Sequence, residues 1–68
     1  MSKFTMNLKK LMIEREMTAA DIARKTGMTQ ATLSRYINGK RIPKINSVIK
    51  IAKALNVPIE LLMKGVDE

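Results

Sequence analysis

Basic side chains dominate one long stretch of the chain and are the residues best suited to holding a ligand. Asp21 and Glu60 are neighbouring acids along the sequence, with no other acid between them. The stretch between them carries eight positive charges, at Arg24, Lys25, Arg35, Lys40, Arg41, Lys44, Lys50 and Lys53. Such a run creates a field that attracts a polyanion, and the alternative is an ordinary solvated surface.

The composition disfavours several other chemistries. The chain has no His and no Cys, so it lacks the common zinc ligands and cannot form a disulfide, and we expect neither a metal nor a cofactor. No pair of carboxylates lies beside a phosphate-cradling loop, so an enzyme is the least favoured class. The only aromatic residues are Phe4 and Tyr36, too few for base-stacking platforms or membrane anchors.

Length and hydrophobic spacing set the expected architecture. A chain of 68 residues forms one domain at most, 1–68. No segment resembles a signal peptide or a membrane span, so we expect a reduced, cytoplasmic protein that does not contact a membrane. Apolar residues recur at helical spacing and no stretch alternates like a strand. The sequence therefore predicts an all-α bundle of five short helices, at about 6–16, 18–26, 29–38, 45–55 and 59–63.

The apolar positions and end signals give each helix an expected face. In the first helix the apolar stripe is Leu8, Leu11 and Met12, extending to Ile13, and Thr5 is a candidate N-cap. In the fourth helix the apolar positions are Ile45, Val48, Ile49, Ala52 and Leu55. Thr18 and Thr29 are expected N-caps, whereas Gly27 and Asn56 are expected left-handed helix ends.

The short link through Gly27 must turn the chain sharply between the second and third helices. Turning Leu33 and Tyr36 of the third helix inward leaves a short-chained polar surface outside, made of Gln30, Ala31, Ser34, Arg35 and Asn38. Such a surface suits insertion into the major groove of DNA, which is about 12 Å wide.

These residues resemble a known family. The segment MTAADIARKTGMTQATLSRYINGK is similar to the helix-turn-helix of the Xre family, which includes phage Cro and repressor DNA-binding domains. LKKLMIEREM precedes it as that family's first helix does, and IKIAKALNVPIELLMKG follows it as the last two helices do. The resemblance extends from about Leu8 to Gly65 and implies a lambda-repressor-like fold.

The resemblance also implies roles for individual residues. The expected base contacts are Gln30, Ala31, Ser34 and Arg35, with Gln30 suited to adenine and Arg35 to guanine. The expected phosphate contacts are Thr18, Thr29, Asn38, Lys40, Arg41 and Lys44. Three of these residues have a structural alternative: Thr29 can be a cap alone, Ala31 a helix former, and Lys44 an ordinary surface lysine.

The chain departs from the family pattern at three positions. Ala19 stands where members commonly place a glutamine that holds a phosphate. Met12 and Ile37 stand where many members carry an arginine and a glutamate that form a buried ion pair. Replacing both partners of a buried pair with apolar groups can be neutral or stabilising. We therefore expect Met12 and Ile37 to be buried in mutual contact.

Two functional hypotheses remain after the enzyme class is set aside. The first is a transcriptional regulator, expected to be a repressor, that binds a pseudo-palindromic operator in double-stranded DNA as a homodimer. The alternative is a protein-interaction module or antitoxin that keeps the fold without strong DNA binding. An acidic or apolar outer surface on the third helix is expected for the alternative, and the sequence has neither.

Overall fold

Five helices make up the regular structure of the part of the chain that the structure describes. The computed structural model describes residues 2–66 and contains only helices within them. They are α1 (Lys3–Glu14), α2 (Ala19–Thr26), α3 (Gln30–Ile37), α4 (Ile45–Leu55) and α5 (Ile59–Met63). The all-α prediction is confirmed, and the described helices all fall short of the length and apolar character that a membrane crossing requires.

Most helix ends follow from local sequence signals. Thr18 and Thr29 are N-caps, and their side chains accept hydrogen bonds from the backbone N–H groups of Asp21 and Thr32. Asn56 ends α4 in the left-handed conformation, with φ 58°. Side-chain caps satisfy helix donors that have no partner inside the helix, while Asn tolerates the left-handed region better than most residues.

Helix α1 differs from the prediction. It begins at Lys3 rather than near Met6, and its N-cap is Ser2, whose hydroxyl accepts the backbone N–H of Thr5 at 3.1 Å. Thr5 is not a cap: it is fully buried, and its hydroxyl donates to the backbone oxygen of Tyr36 at 3.0 Å. This hydrogen bond could not be predicted from local sequence, because Tyr36 lies 31 residues away from Thr5.

The core forms between the five helices, each of which contributes at least one fully buried side chain. Its fully buried large side chains are Phe4, Leu8, Ile22, Leu33, Ile51, Leu55 and Leu62. Helix α2 packs against both α3 and α4, whereas α1 packs against α5 and α3. Asn7 secures the end of α5, because its Nδ2 donates to the backbone oxygens of Leu62 and Lys64 at 2.7 and 2.9 Å.

Three residues assigned to apolar faces are exposed. Ile13 in α1 is 78% exposed, and Ile45 and Ile49 in α4 are 56% and 39% exposed. The buried face of α4 is instead rotated toward Ile51 and Ala54. Helical spacing identifies an apolar side, but the neighbouring helices decide which part of it they cover.

Met12 and Ile37 lie together but are less buried than predicted. Both are half-buried, pack against the edge of the core, and line one open groove of about 500 Å³ with Ile13 and Met17. Full burial fails because none of the described helices covers this corner between α1, the start of α2 and the end of α3. Both side chains remain in a largely apolar setting, consistent with the replacement of an ion pair by apolar groups.

Candidate nucleic-acid interface

The turn between α2 and α3 is held by both backbone and side-chain hydrogen bonds. Gly27 is left-handed, with φ 78°, and its N–H donates to the backbone oxygen of Ala23 at 2.9 Å. The Thr26 hydroxyl donates to the oxygen of Ile22 at 2.7 Å and accepts the N–H of Met28 at 3.1 Å. These bonds fix the direction of α3 relative to α2. A binding surface is held more precisely when the element that carries it is fixed in this way.

The N-terminus of α3 is capped by Thr29. Its Oγ1 accepts the N–H of Thr32 at 3.1 Å and lies 3.0 Å from the Thr32 hydroxyl. The Thr29 side chain is therefore engaged within the helix end. The first N–H groups of a helix point outward and can bind an anion, so this end suits a phosphate through its backbone more than through the Thr29 hydroxyl.

The outer surface of α3 carries the four expected base contacts. Leu33 and Tyr36 are buried on the inner side, and the side chains on the outer side are exposed: Gln30, Ala31, Ser34 and Arg35. Asn38 Nδ2 donates to the Ser34 hydroxyl at 3.1 Å, which ties the expected phosphate contact Asn38 to this surface. We name these five residues the α3 outer surface.

The loop after α3 brings basic residues to the end of that surface. Gly39 has φ 74°, and the N–H of Lys40 donates to the oxygen of Arg35 at 2.8 Å. Pro43 is buried and anchors the loop, whereas Lys40, Arg41 and Lys44 are exposed. Lys44 is also the N-cap residue of α4, without a side-chain cap bond. The positive charges of this loop therefore lie directly after the last turn of α3 along the chain.

The N-terminus of α2 forms a complete capping box. Asp21 Oδ2 accepts the Thr18 N–H at 2.9 Å, and Asp21 Oδ1 lies 2.7 Å from Nη2 of Arg24. The Thr18 N–H holds the pKa of Asp21 below its usual range, with Arg24 as the next cause. The Thr18 hydroxyl in turn accepts the Asp21 N–H at 3.2 Å, so each residue of the box caps the other.

Comparison with known proteins places this architecture in a family. A helix-turn-helix family model matches residues 8–62, most of the chain. The chain belongs to the Xre-type helix-turn-helix family. This match confirms the resemblance inferred from the motif segments, and the helix-turn-helix itself is α2, the turn at Gly27, and α3.

Relatives of this helix-turn-helix chain are named as transcriptional regulators. It is 41% identical over 64 residues to the HTH-type transcriptional repressor RghR of Bacillus subtilis, covering 93% of this chain and 47% of RghR. It is 34% identical over 62 residues to the uncharacterized HTH-type transcriptional regulator YqaE of the same organism, covering 91% of this chain and 53% of YqaE. The chain thus spans about half the length of these curated relatives.

Solved structures have the same helix-turn-helix fold. The restriction-modification controller protein C.AhdI from Aeromonas hydrophila superposes with a TM-score of 0.82 at 22% identity, covering 88% of this chain and 91% of that protein. A point mutant of the controller protein C.Esp1396I superposes with a TM-score of 0.81 at 31% identity, covering 93% and 89%. At 22% identity the first likeness shows the fold alone.

Two threonines that position the helix-turn-helix were missed from the sequence. Thr26 locks the turn, and Thr5 holds the backbone of α3 at Tyr36. Thr26 had a local signal, because a hydroxyl near a helix end often bonds the carbonyl four residues earlier. Thr5 had no such local signal, because its hydrogen-bond partner, the backbone oxygen of Tyr36, is distant in sequence.

Proposed function

We propose that this chain binds double-stranded DNA in a sequence-specific manner and regulates transcription. In this proposal α3 lies in the major groove, where Gln30 and Arg35 bond base edges while Ala31 and Ser34 lie against them. The exposed polar surface of α3, directly followed by three exposed basic residues, is the observation that carries the proposal. Membership of the helix-turn-helix family supports it.

The proposed phosphate contacts lie at both ends of the helix-turn-helix. Thr18 at the start of α2 and Thr29 at the start of α3 offer helix N-termini, and the loop after α3 offers Asn38, Lys40, Arg41 and Lys44. Contacts of this kind fix the register of a protein on DNA and supply much of its affinity. Asp21 does not oppose them strongly, because Arg24 is paired with its carboxylate.

The proposed functional unit is a homodimer at a pseudo-palindromic operator, and repression is the proposed outcome. A two-fold dimer matches two half-sites about one helical turn apart. Three exposed isoleucines on α4 and the loop before it, Ile42, Ile45 and Ile49, support association with a second copy.

Selection of binding sites from a random duplex pool tests this function directly. We expect an enriched sequence with two inverted half-sites centred about ten base pairs apart. A pool that stays random after several rounds, while the protein remains folded, would contradict sequence-specific binding and favour the interaction-module hypothesis.

A further inference from the structure

The eight positive charges between Asp21 and Glu60 divide into three groups. Arg24 is paired with Asp21, at 2.7 Å. Four others belong to the proposed DNA-binding surface: Arg35, Lys40, Arg41 and Lys44. The remaining three, Lys25, Lys50 and Lys53, have no role in the proposed helix-turn-helix contacts.

These three lysines line one concave surface. It lies on the junction of α2 and α4, has a volume of about 450 Å³, and is completed by Thr26 and Ala54. We name it the α2–α4 groove. All three lysine side chains are exposed, and no carboxylate is among the described residues that line the groove. Three positive charges that converge without a counter-charge attract an anion.

The chemistry of the groove selects the class of anion. Ala54 is its only apolar side chain among the described lining residues, so it offers no pocket for the large apolar anchors that dominate peptide interfaces. Membrane binding would also need bulky apolar anchors. Lysine ammonium groups bind phosphate as flexible point charges. A phosphate chain, which carries dense charge and little apolar surface, fits this lining best.

We propose that the α2–α4 groove binds the phosphate backbone of duplex DNA outside the segment contacted by α3. This inference rests on the proposed function, because it adds a second contact with the same class of ligand. The backbone can come from the DNA flanking the operator or from a second duplex. In both cases the groove adds a sequence-independent contact that strengthens with falling salt.

A second lysine trio provides a matched control. Lys3, Lys10 and Lys64 are also exposed and line a concave surface of about 520 Å³. Lys10 and Lys64, however, border an adjoining hollow that Glu14 also lines. A carboxylate at that position offsets the lysine charge, so this trio is expected to contribute little to DNA binding.

The experiment compares two triple variants with the wild type. K25Q/K50Q/K53Q and K3Q/K10Q/K64Q each remove three positive charges from a chain of net charge +7. Affinity is measured at several salt concentrations on a duplex trimmed to the selected operator and on one with long flanks. We expect the α2–α4 triple to reduce the steepness of log K against log salt by about two to three for each bound chain, at about 0.9 per phosphate. The control triple is expected to change it by less than about one.

The two DNA sources give different results. If flanking DNA is the ligand, the reduction occurs on the long duplex and not on the trimmed one. If a second duplex is the ligand, wild type brings two differently labelled trimmed duplexes into energy-transfer range, and the α2–α4 triple does not.

Different results would contradict DNA binding by the α2–α4 groove and the proposed function itself. Equal slopes and affinities for the two triples on every duplex, without bridging, overturn the α2–α4 groove alone. A wild-type protein that binds no duplex contradicts the proposed function as well. All six lysines are exposed, so both triples are expected to fold, and circular dichroism of each checks this.

Discussion

Gln30 and Arg35 are the long side chains on the α3 outer surface, whereas Ala31 and Ser34 are short. In the proposed complex, base readout is therefore expected of Gln30 and Arg35, because their side chains are long enough to extend far into a groove from the helix surface. Lys40 lies beyond the end of α3, where the wall of the groove and its phosphates are expected. The two kinds of contact have different thermodynamic signatures.

Replacing Gln30 with Ala should cost about 1–3 kcal/mol of binding free energy on the preferred duplex and relax selection at one base pair. The matched variant Lys40→Ala should weaken preferred and random duplexes alike and reduce the salt slope by about one. Titrations of both variants on both duplexes at two salt concentrations measure these effects. An equal loss on every sequence for Gln30→Ala would show that it does not read a base directly.

The candidate site was largely predictable, because its residues follow from a local rule. Once Leu33 and Tyr36 face the core, the opposite side of α3 is determined. The sequence did not predict the hydrogen bonds that restrict the side chains on this surface, such as the bond from Asn38 to Ser34. Rotamer choice and side-chain partners depend on neighbours in space, and they decide which hydroxyl protons are left for a ligand.

Thr5 is the buried polar residue that joins α1 to α3. Replacing it with Val keeps its shape but removes two hydrogen bonds, the one donated to Tyr36 and the one accepted from the Ser2 hydroxyl at 3.0 Å. The change should lower the free energy of unfolding by about 1–2 kcal/mol. The loss stays moderate because the Tyr36 oxygen also accepts the N–H of Gly39 at 3.2 Å. Urea unfolding measures the difference.

A second pair of variants isolates the Thr5 hydroxyl. Thr5→Ser and Thr5→Ala both lack the methyl group, so their stability difference reports the hydroxyl alone. We expect Ser to be the more stable by a similar amount. Two results together would contradict this: equal stability of the wild type and Thr5→Val, and equal stability of Thr5→Ser and Thr5→Ala. They would show that hydrogen bonding by the Thr5 hydroxyl makes no net contribution to stability.

The helices follow from the sequence to different degrees. The bounds of α4 and α5 agree with the prediction, because Pro43, Asn56 and Pro58 mark their ends locally. Helix α1 starts earlier than predicted, because Phe4 and Thr5 are drawn into a core made by later segments. The exposure of Ile13 and Ile45 has the same origin: hydrophobicity suggests burial, but only the packed neighbours determine coverage.

Gly27 joins α2 to α3, and its left-handed backbone is the main reason for glycine there. Beyond its two chain neighbours, none of the described residues has a heavy atom within 4 Å of a Cβ built at this position, so substitution costs backbone strain without a clash. Gly27→Ala should therefore lower the free energy of unfolding by about 1–2 kcal/mol, and Gly27→Asn by less. Thermal and urea unfolding measure both. Equal stability of the wild type and the Ala variant would contradict this account of the turn.

The capping box of α2 should make stability depend on pH. Because the pKa of Asp21 is lowered on folding, its contribution is complete at neutral pH and is lost as pH falls below the usual aspartate range and through the lower folded-state pKa. Asp21→Ala should thus be less stable than wild type at pH 7, and the gap should close in acid. Unfolding curves from pH 7 to strongly acidic solution measure it, and a gap that persists in acid would assign the loss to another cause.

Considered as a whole, the molecule separates its charges. Three acids lie at or before Asp21, namely Glu14, Glu16 and Asp21, and Glu60 lies in α5. The α3 outer surface, the loop after it and the α2–α4 groove, by contrast, carry only basic or neutral side chains among the residues described. This separation favours association with a polyanion over self-neutralisation. It also predicts how strongly salt should oppose binding.

Binding to duplex DNA should weaken steeply as salt rises, because each phosphate neutralised by the protein releases a condensed counterion. If about four to eight phosphates are contacted, log K should fall against log salt with a slope of roughly −4 to −7. Between about 50 and 200 mM salt, affinity should then fall roughly 10²- to 10⁴-fold. Fluorescence anisotropy with a labelled duplex measures this slope, and a random duplex of equal length is the control. The control should show a comparable slope at lower affinity, since phosphate contacts do not depend on sequence. A flat response on both duplexes would mean that the positive charges serve only as a solvated surface, and the interaction-module hypothesis would then replace DNA binding.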